Sequence, residues 1–171
     1  MISLAEVNAA DERRLIELLG GVWEHSPWVP ERAGKRRPFG SVIALHQAMV
    51  AAVTAASVDE QLALIRAHPE LAGREAVAGT MTVDSTTEQG RLGLTALPRA
   101  EFERITKLNR GYRETFGFPC IVALKLHHAR DTVLAEMELR LSNSRETEIA
   151  NALTQIAHIA RGRLEKLLGA S

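Results

Sequence analysis

The chain carries one cysteine, Cys120, in 171 residues. A single thiol excludes an internal disulfide and a CxxC metal site. There is no surplus of charge either: 21 Lys and Arg balance 21 Asp and Glu, for a formal net charge of +0. A nucleic-acid partner ordinarily needs a basic surface, so none is expected. No apolar run approaches the length of a membrane span, and no membrane partner is expected. HExxH, a Gly-rich phosphate loop and Gly-x-Ser-x-Gly are all missing, which removes the common signatures of zinc, phosphate and serine-hydrolase sites. The opening stretch MISLAEVNAADERR turns acidic without a signal-peptide core, and the closing LLGAS matches no retention or peroxisomal address. The expected compartment is the cytoplasm. Repeats, linkers and low-complexity tracts are also absent.

What is present is an ordinary globular composition, 46% hydrophobic and 25% charged, at a length that suits one domain. Punctuation is helical nearly throughout. Ser3 with Glu6, and Ser57 with Glu60, read as capping boxes. Asp11, Ser41, Asp131 and Ser144 read as single N-caps. Gly20-Gly21 and Gly117 read as stops, and Pro98 as a first helical residue. The helix from Ser57 must end near Pro69, because a residue before proline avoids the helical region. His68 therefore sits at a helix corner. Residues 22–40, with Pro27, Pro30 and Pro38, read as short turns. Residues 70–95 are broken by glycine and suggest one short helix at 86–91. The segment FPCIVALKL fits an extended or a helical conformation equally. No alternating strand pattern recurs. The expectation is an all-α fold, one compact domain of about eight helices over residues 1–171.

Three places concentrate chemistry: HPELAG (68–73), STTEQ (85–89) and FGFPCIV (116–122). They combine an imidazole, a carboxylate, an amide and a hydroxyl with an apolar turn. His68 and Glu88 can move protons near neutral pH, and Ser85 and Gln89 can orient a polar ligand. Each has a plain alternative. A histidine before proline can simply cap the last helical carbonyls, and Ser-x-x-Glu is itself a capping box. On the last helix, Ile149, Leu153, Ile156, Ala160 and Leu167 form the expected apolar stripe. Arg163 falls on that stripe, so its guanidinium needs an anionic or acceptor partner unless it snorkels at the helix end. His127 and His128 are adjacent and point apart. With His25, His46 and His158 they offer no ligand spacing, so no metal is expected. Cys120 reads as a core residue.

At these motifs the chain resembles the 2-oxo-4-hydroxy-4-carboxy-5-ureidoimidazoline (OHCU) decarboxylase family of urate degradation, over nearly its whole length. WEHSPWV and RRPF come first, followed by HPELAG, Ser85-x-x-Glu88-Gln89 and Asn109-x-x-Tyr112. FGFP, RLSN (140–143), Glu148 and Arg163-Leu164 complete the set, all in order and spacing. One departure stands out: Cys120 replaces the second phenylalanine usual after Gly-Phe-Pro.

The resemblance implies an all-α homodimeric carboxy-lyase without a cofactor, giving S-allantoin and carbon dioxide. In OHCU the carboxylate and a hydroxyl share one ring carbon, and the neighbouring carbon carries the ureido group and a C=N. Loss of carbon dioxide pushes electrons into that C=N, so the substrate supplies its own electron sink. The resulting enol must then be protonated on one face. By resemblance, His68 is the acid/base, and Glu88 orients it or holds the ureido N–H groups. Ser85 and Gln89 bind the ring, and Arg163 neutralises an anionic part of the substrate. Pro69, Phe118 and Ile121 form apolar walls that desolvate the carboxylate. The competing class is a non-catalytic helical ligand-binding or regulatory module with a structural His/Glu cluster. A His/Glu hydrolase would need a nucleophile or a metal, and the sequence shows neither.

Overall fold

The computed structural model describes residues 2–169; Met1, Ala170 and Ser171 lie outside them, and with the last two the end of LLGAS. Among the described residues there are ten α-helices, one 3-10 turn and no strand. The all-α expectation holds, with more helices than the eight expected. The chain divides into two compact units, Met1–Ala67 with Ala157–Ser171, and His68–Ile156.

The first unit contains α1 (Leu4–Ala9), α2 (Glu12–Leu19), α3 (Trp28–Gly34), α4 (Val42–Thr54), α5 (Val58–Ala67) and the end of α10 (Arg145–Leu168). Local caps start most of them. Ser3 Oγ accepts from the Glu6 N–H at 3.2 Å, and the Glu6 carboxylate answers the Ser3 N–H at 2.7 Å. Asp11 caps α2, Ser41 caps α4, and Ser57 forms the second box with Glu60. The turns expected at 22–40 are corrected by α3. Pro27 and Pro30 occupy its cap and first turn, where a missing N–H costs nothing. Gly34 permits close packing, since a Cβ there would stand 2.3 Å from Leu15 Cδ2. Trp23, Leu15, Leu19, Val29, Met49, Leu64 and Ile65 fill this core. The Trp23 indole N–H finds the Met49 sulfur at 3.1 Å.

The second unit contains α6 (Arg74–Ala78), α7 (Val83–Arg91), α8 (Arg99–Phe116), a 3-10 turn (Leu124–Leu126), α9 (Arg130–Arg140) and the first half of α10. Here several expectations shift. α6 was not anticipated; it buries no residue and so leaves no periodic signal. α7 begins at Val83, not 86, because Thr82 caps it. Pro98 is the cap of α8 and not its first helical residue, so the helix begins at Arg99, one residue later than expected. Asp131 is not a cap: Ala129 holds that position, and Asp131 lies in the first turn. FPCIV is irregular and leads into the 3-10 turn.

The stripe on α10 is rotated from the expected one. Glu148, Ala152, Ile156, Ala160 and Leu164 are buried, while Ile149, Leu153 and Leu167 are only half-buried. A buried acid at position 148 disguises the register in a hydropathy reading. No single helix among the described residues is long and apolar enough to cross a membrane. The pair α4 and α5 reaches that length and composition only together, across a 119° bend.

Candidate active site

His68 directly follows α5 and is only 6% exposed. Pro69 ends the helix, and the backbone then turns sharply. Ala72 takes φ +47°, a left-handed conformation uncommon outside glycine and costing about 1–3 kcal/mol. Side chains hold the turn in place. Gln89 Oε1 accepts the Ala72 N–H at 2.8 Å, and its Nε2 donates to the Glu70 carbonyl at 3.2 Å. From α8, Asn109 Nδ2 donates to the Leu71 carbonyl at 2.8 Å. Gly73 closes the motif because a Cβ there would lie 2.6 Å from Glu70 Cβ. The Glu-Leu-Ala-Gly that follows Pro69 is thus explained as a braced turn that fixes the chain leaving His68.

The Ser-x-x-Glu alternative is now decided for the residues at the site. Thr82, not Ser85, caps α7, and its side chain accepts the Ser85 N–H at 3.3 Å. Ser85 lies inside the helix and is 4% exposed. Ser85 and Gln89 are four apart and form the buried face, with Glu88 half-buried at its border. The Gln89 bonds set this face against the loop that begins at His68. Much of the Gln89 amide is committed to that loop; its Nε2 also meets the Met81 sulfur at 3.2 Å. Bracing is therefore the observed role of Gln89.

The FGFP segment follows α8, which Gly117 ends at φ +79°. Phe118 and Ile121 are buried, and Phe118 packs against Tyr112 and Phe116 with ring centroids 6.0 Å apart. α7 reaches this region too, because the Arg91 guanidinium bonds the carbonyls of Leu124 and His127. Pro69 is half-buried. Cys120 is 1% exposed, and burial pushes its thiol up to about 12. The reactive species is the thiolate. An aromatic disulfide reagent at pH 8 is therefore expected to leave Cys120 untouched in the folded protein and to label it in denaturant. Rapid labelling of the folded chain would refute its place in the wall.

Arg163 lies in the first unit, where it is buried as its register suggested. Its Nη1 donates to Glu24 Oε2 at 2.7 Å and to the Gly21 carbonyl at 3.3 Å. Glu24 is 2% exposed. Sequence reasoning did not single out Glu24, although an acid directly after the apolar pair Val22-Trp23 was a usable signal. Asn109 was noticed only as part of a motif; an Asn in mid-helix is locally unfavourable and so hints at a tertiary task. Arg161, two residues from Arg163, pairs with Glu165 in a half-buried position. Among the described residues no three His, Cys, Asp or Glu side chains cluster so as to hold a metal ion.

The buried His68 thus opens a braced turn held to the face of α7 that carries Ser85 and Gln89, with Glu88 at its border, and together they bring the groups of an acid/base site onto an all-helical fold. A family model described as OHCU decarboxylase matches residues 8–165. The chain belongs to the OHCU decarboxylase family. A Haloferax volcanii protein named 2-oxo-4-hydroxy-4-carboxy-5-ureidoimidazoline decarboxylase is 42% identical, covering 95% of this chain and 94% of its own. A crystal structure of (S)-allantoin synthase superposes with a TM-score of 0.77 at 30% identity. The match covers 98% of this chain and 54% of that one. A second crystal structure, of OHCU decarboxylase in the presence of (S)-allantoin, shares the fold at a TM-score of 0.71 and 15% identity. It is covered 94% on this side and 100% on the other.

Proposed function

We propose that this chain is a cofactor-independent carboxy-lyase that converts OHCU to S-allantoin and carbon dioxide in urate degradation. The observation that carries the reading is the match to the family along residues 8–165, with His68 buried on the braced turn. That match takes in all of the second compact unit and most of the first, which supports treating 1–171 as one decarboxylase domain. We extend the proposal to a cytoplasmic homodimer, on the resemblance alone.

His68 takes the proton of the substrate hydroxyl as the carboxylate leaves, and the ring nitrogen that receives the electron pair takes a proton from water. His68 then returns a proton to the ureido-bearing carbon from one side. A group fixed at a helix corner by the following proline and a braced turn can do this with little reorganisation. Glu88, at the edge of the buried face of α7, orients the imidazole or holds the ureido N–H groups. Ser85 binds the ring, and Gln89 serves it by fixing the turn and through its remaining acceptor capacity. Pro69, Phe118 and Ile121 exclude water from the carboxylate, which favours dispersal of its charge. Arg163 neutralises an anionic part of the substrate. The non-catalytic module finds no specific support, because the capping role that would have made Ser85-x-x-Glu88 structural belongs to Thr82.

The test is stereochemical. Fresh OHCU decays unaided to racemic allantoin, so circular dichroism of the product distinguishes the two routes. The enzyme is expected to yield S-allantoin, equally well after exhaustive chelation, since no metal-ligand cluster is found among the described residues. Racemic product formed no faster than without protein would end the decarboxylase reading. Activity lost to a chelator and restored by one divalent ion would end the metal-free mechanism.

A further inference from the structure

Arg140 is a heavily bonded buried charge outside the residues named for the reaction. Its Nε donates to Glu148 Oε2 at 3.0 Å, its Nη2 stands 3.0 Å from the same oxygen, and the Tyr112 hydroxyl lies 3.3 Å from Nη2. Glu148 is wholly buried and also accepts from the Tyr112 hydroxyl, Asn143 and Asn151. The guanidinium is therefore held from α8 and α10 at once. Its Nη1 donates to Glu136 at 3.0 Å and to the Ile121 carbonyl at 2.7 Å. Two residues on, the Ala123 N–H donates to Gln155 Oε1 at 2.7 Å. This stretch is buried and belongs to neither helix nor strand, so its backbone groups need partners from side chains. Arg140 and Gln155 supply them.

We propose that Arg140 and Gln155 are positioning residues for substrate binding: they fix the backbone at 121–123 and so place the Phe118–Ile121 wall. The proposal rests on the reading of that wall as part of the OHCU pocket. A rigid planar fork suits the task, because it can satisfy a carboxylate and a carbonyl in one plane, whereas a lysine ammonium cannot. Most of the wall's contact with substrate is made in ground state and transition state alike, and only the part that excludes water from the carboxylate is gained in the transition state. Loss of the wall's placement therefore shows chiefly in KM.

The test compares Arg140→Lys and Gln155→Ala with Asn151→Ala. The last removes one Glu148 contact without touching the 121–123 backbone. Arg140→Lys and Gln155→Ala are expected to raise KM for OHCU roughly ten- to hundredfold, the scale of a small misplacement in a site, with a smaller change in kcat. Asn151→Ala is expected to lower the melting temperature and leave KM in place. Gln155 is half-buried and its side chain, among the described residues, bonds only the Ala123 amide, so it carries the test if Arg140→Lys does not fold. An unchanged KM in folded Gln155→Ala would overturn the proposal. So would KM changes that follow melting temperature across all three variants. A wild type that does not accelerate OHCU loss would overturn the function reading itself, and the positioning role with it. That failure is told apart from the others because it appears before any variant is made.

Discussion

Replacing His68 by Asn is expected to lower kcat for OHCU by roughly two to four orders of magnitude, the range of one positioned acid/base. The little allantoin still formed should approach a racemate, since the spontaneous route takes over. Asn is the informative choice because His68 is 6% exposed. Truncation to Ala would leave a cavity whose cost could be mistaken for lost chemistry. Glu88→Gln belongs beside it. If Glu88 only orients the imidazole or holds the ureido group, its amide should retain more turnover than His68→Asn, and the product should remain S. The assignment of roles reverses if Glu88→Gln is the more damaged variant while His68→Asn still delivers S-allantoin. Both are read at matched fractions of folded protein from thermal melts.

That His68 could be singled out at all reflects how local its signals are. A histidine before proline at the end of a capped helix is visible within residues 57–69. So are Ser3, Asp11, Ser41, Ser57 and Ser144, whose hydroxyls or carboxylates reach amides three residues on, and those helices fall where expected. The misses have physical causes of other kinds. α3 was hidden because proline reads as a breaker unless its place in the first turn is known. α6 was hidden because it buries nothing. The 70–72 turn depends on Gln89 and Asn109, 17 and 38 residues from the backbone they hold. The pairing of Glu24 with Arg163 spans 139 residues. No pattern in one sequence reports such distances, so the residues that brace the turn after His68 became visible only in the structure.

The Glu24–Arg163 pair turns the largest expected loss into a decisive experiment. Arg163→Met is expected to abolish turnover, since a buried charge-assisted contact is on the order of a few kcal/mol. Yet it also takes the guanidinium away from the Glu24 carboxylate, which is 2% exposed, and breaking a buried pair from one side costs about 3–5 kcal/mol of stability. Activity lost in that variant alone could therefore mean a damaged fold. Glu24→Gln with Arg163→Met removes both charges, and exchanging a buried pair for neutral groups is often close to neutral for stability. The double variant should melt well above Arg163→Met, near the wild type, and still turn over no OHCU. Arg161→Ala serves as the control, because its partner Glu165 is a half-buried neighbour on the same helix and its loss should be mild. Should the double variant recover activity along with its fold, Arg163 is a structural residue and Glu24 the reason it is charged. Should Arg161 prove essential while Arg163 is dispensable, the substrate's counter-charge lies on another face of α10, and the site assignment there must be redrawn.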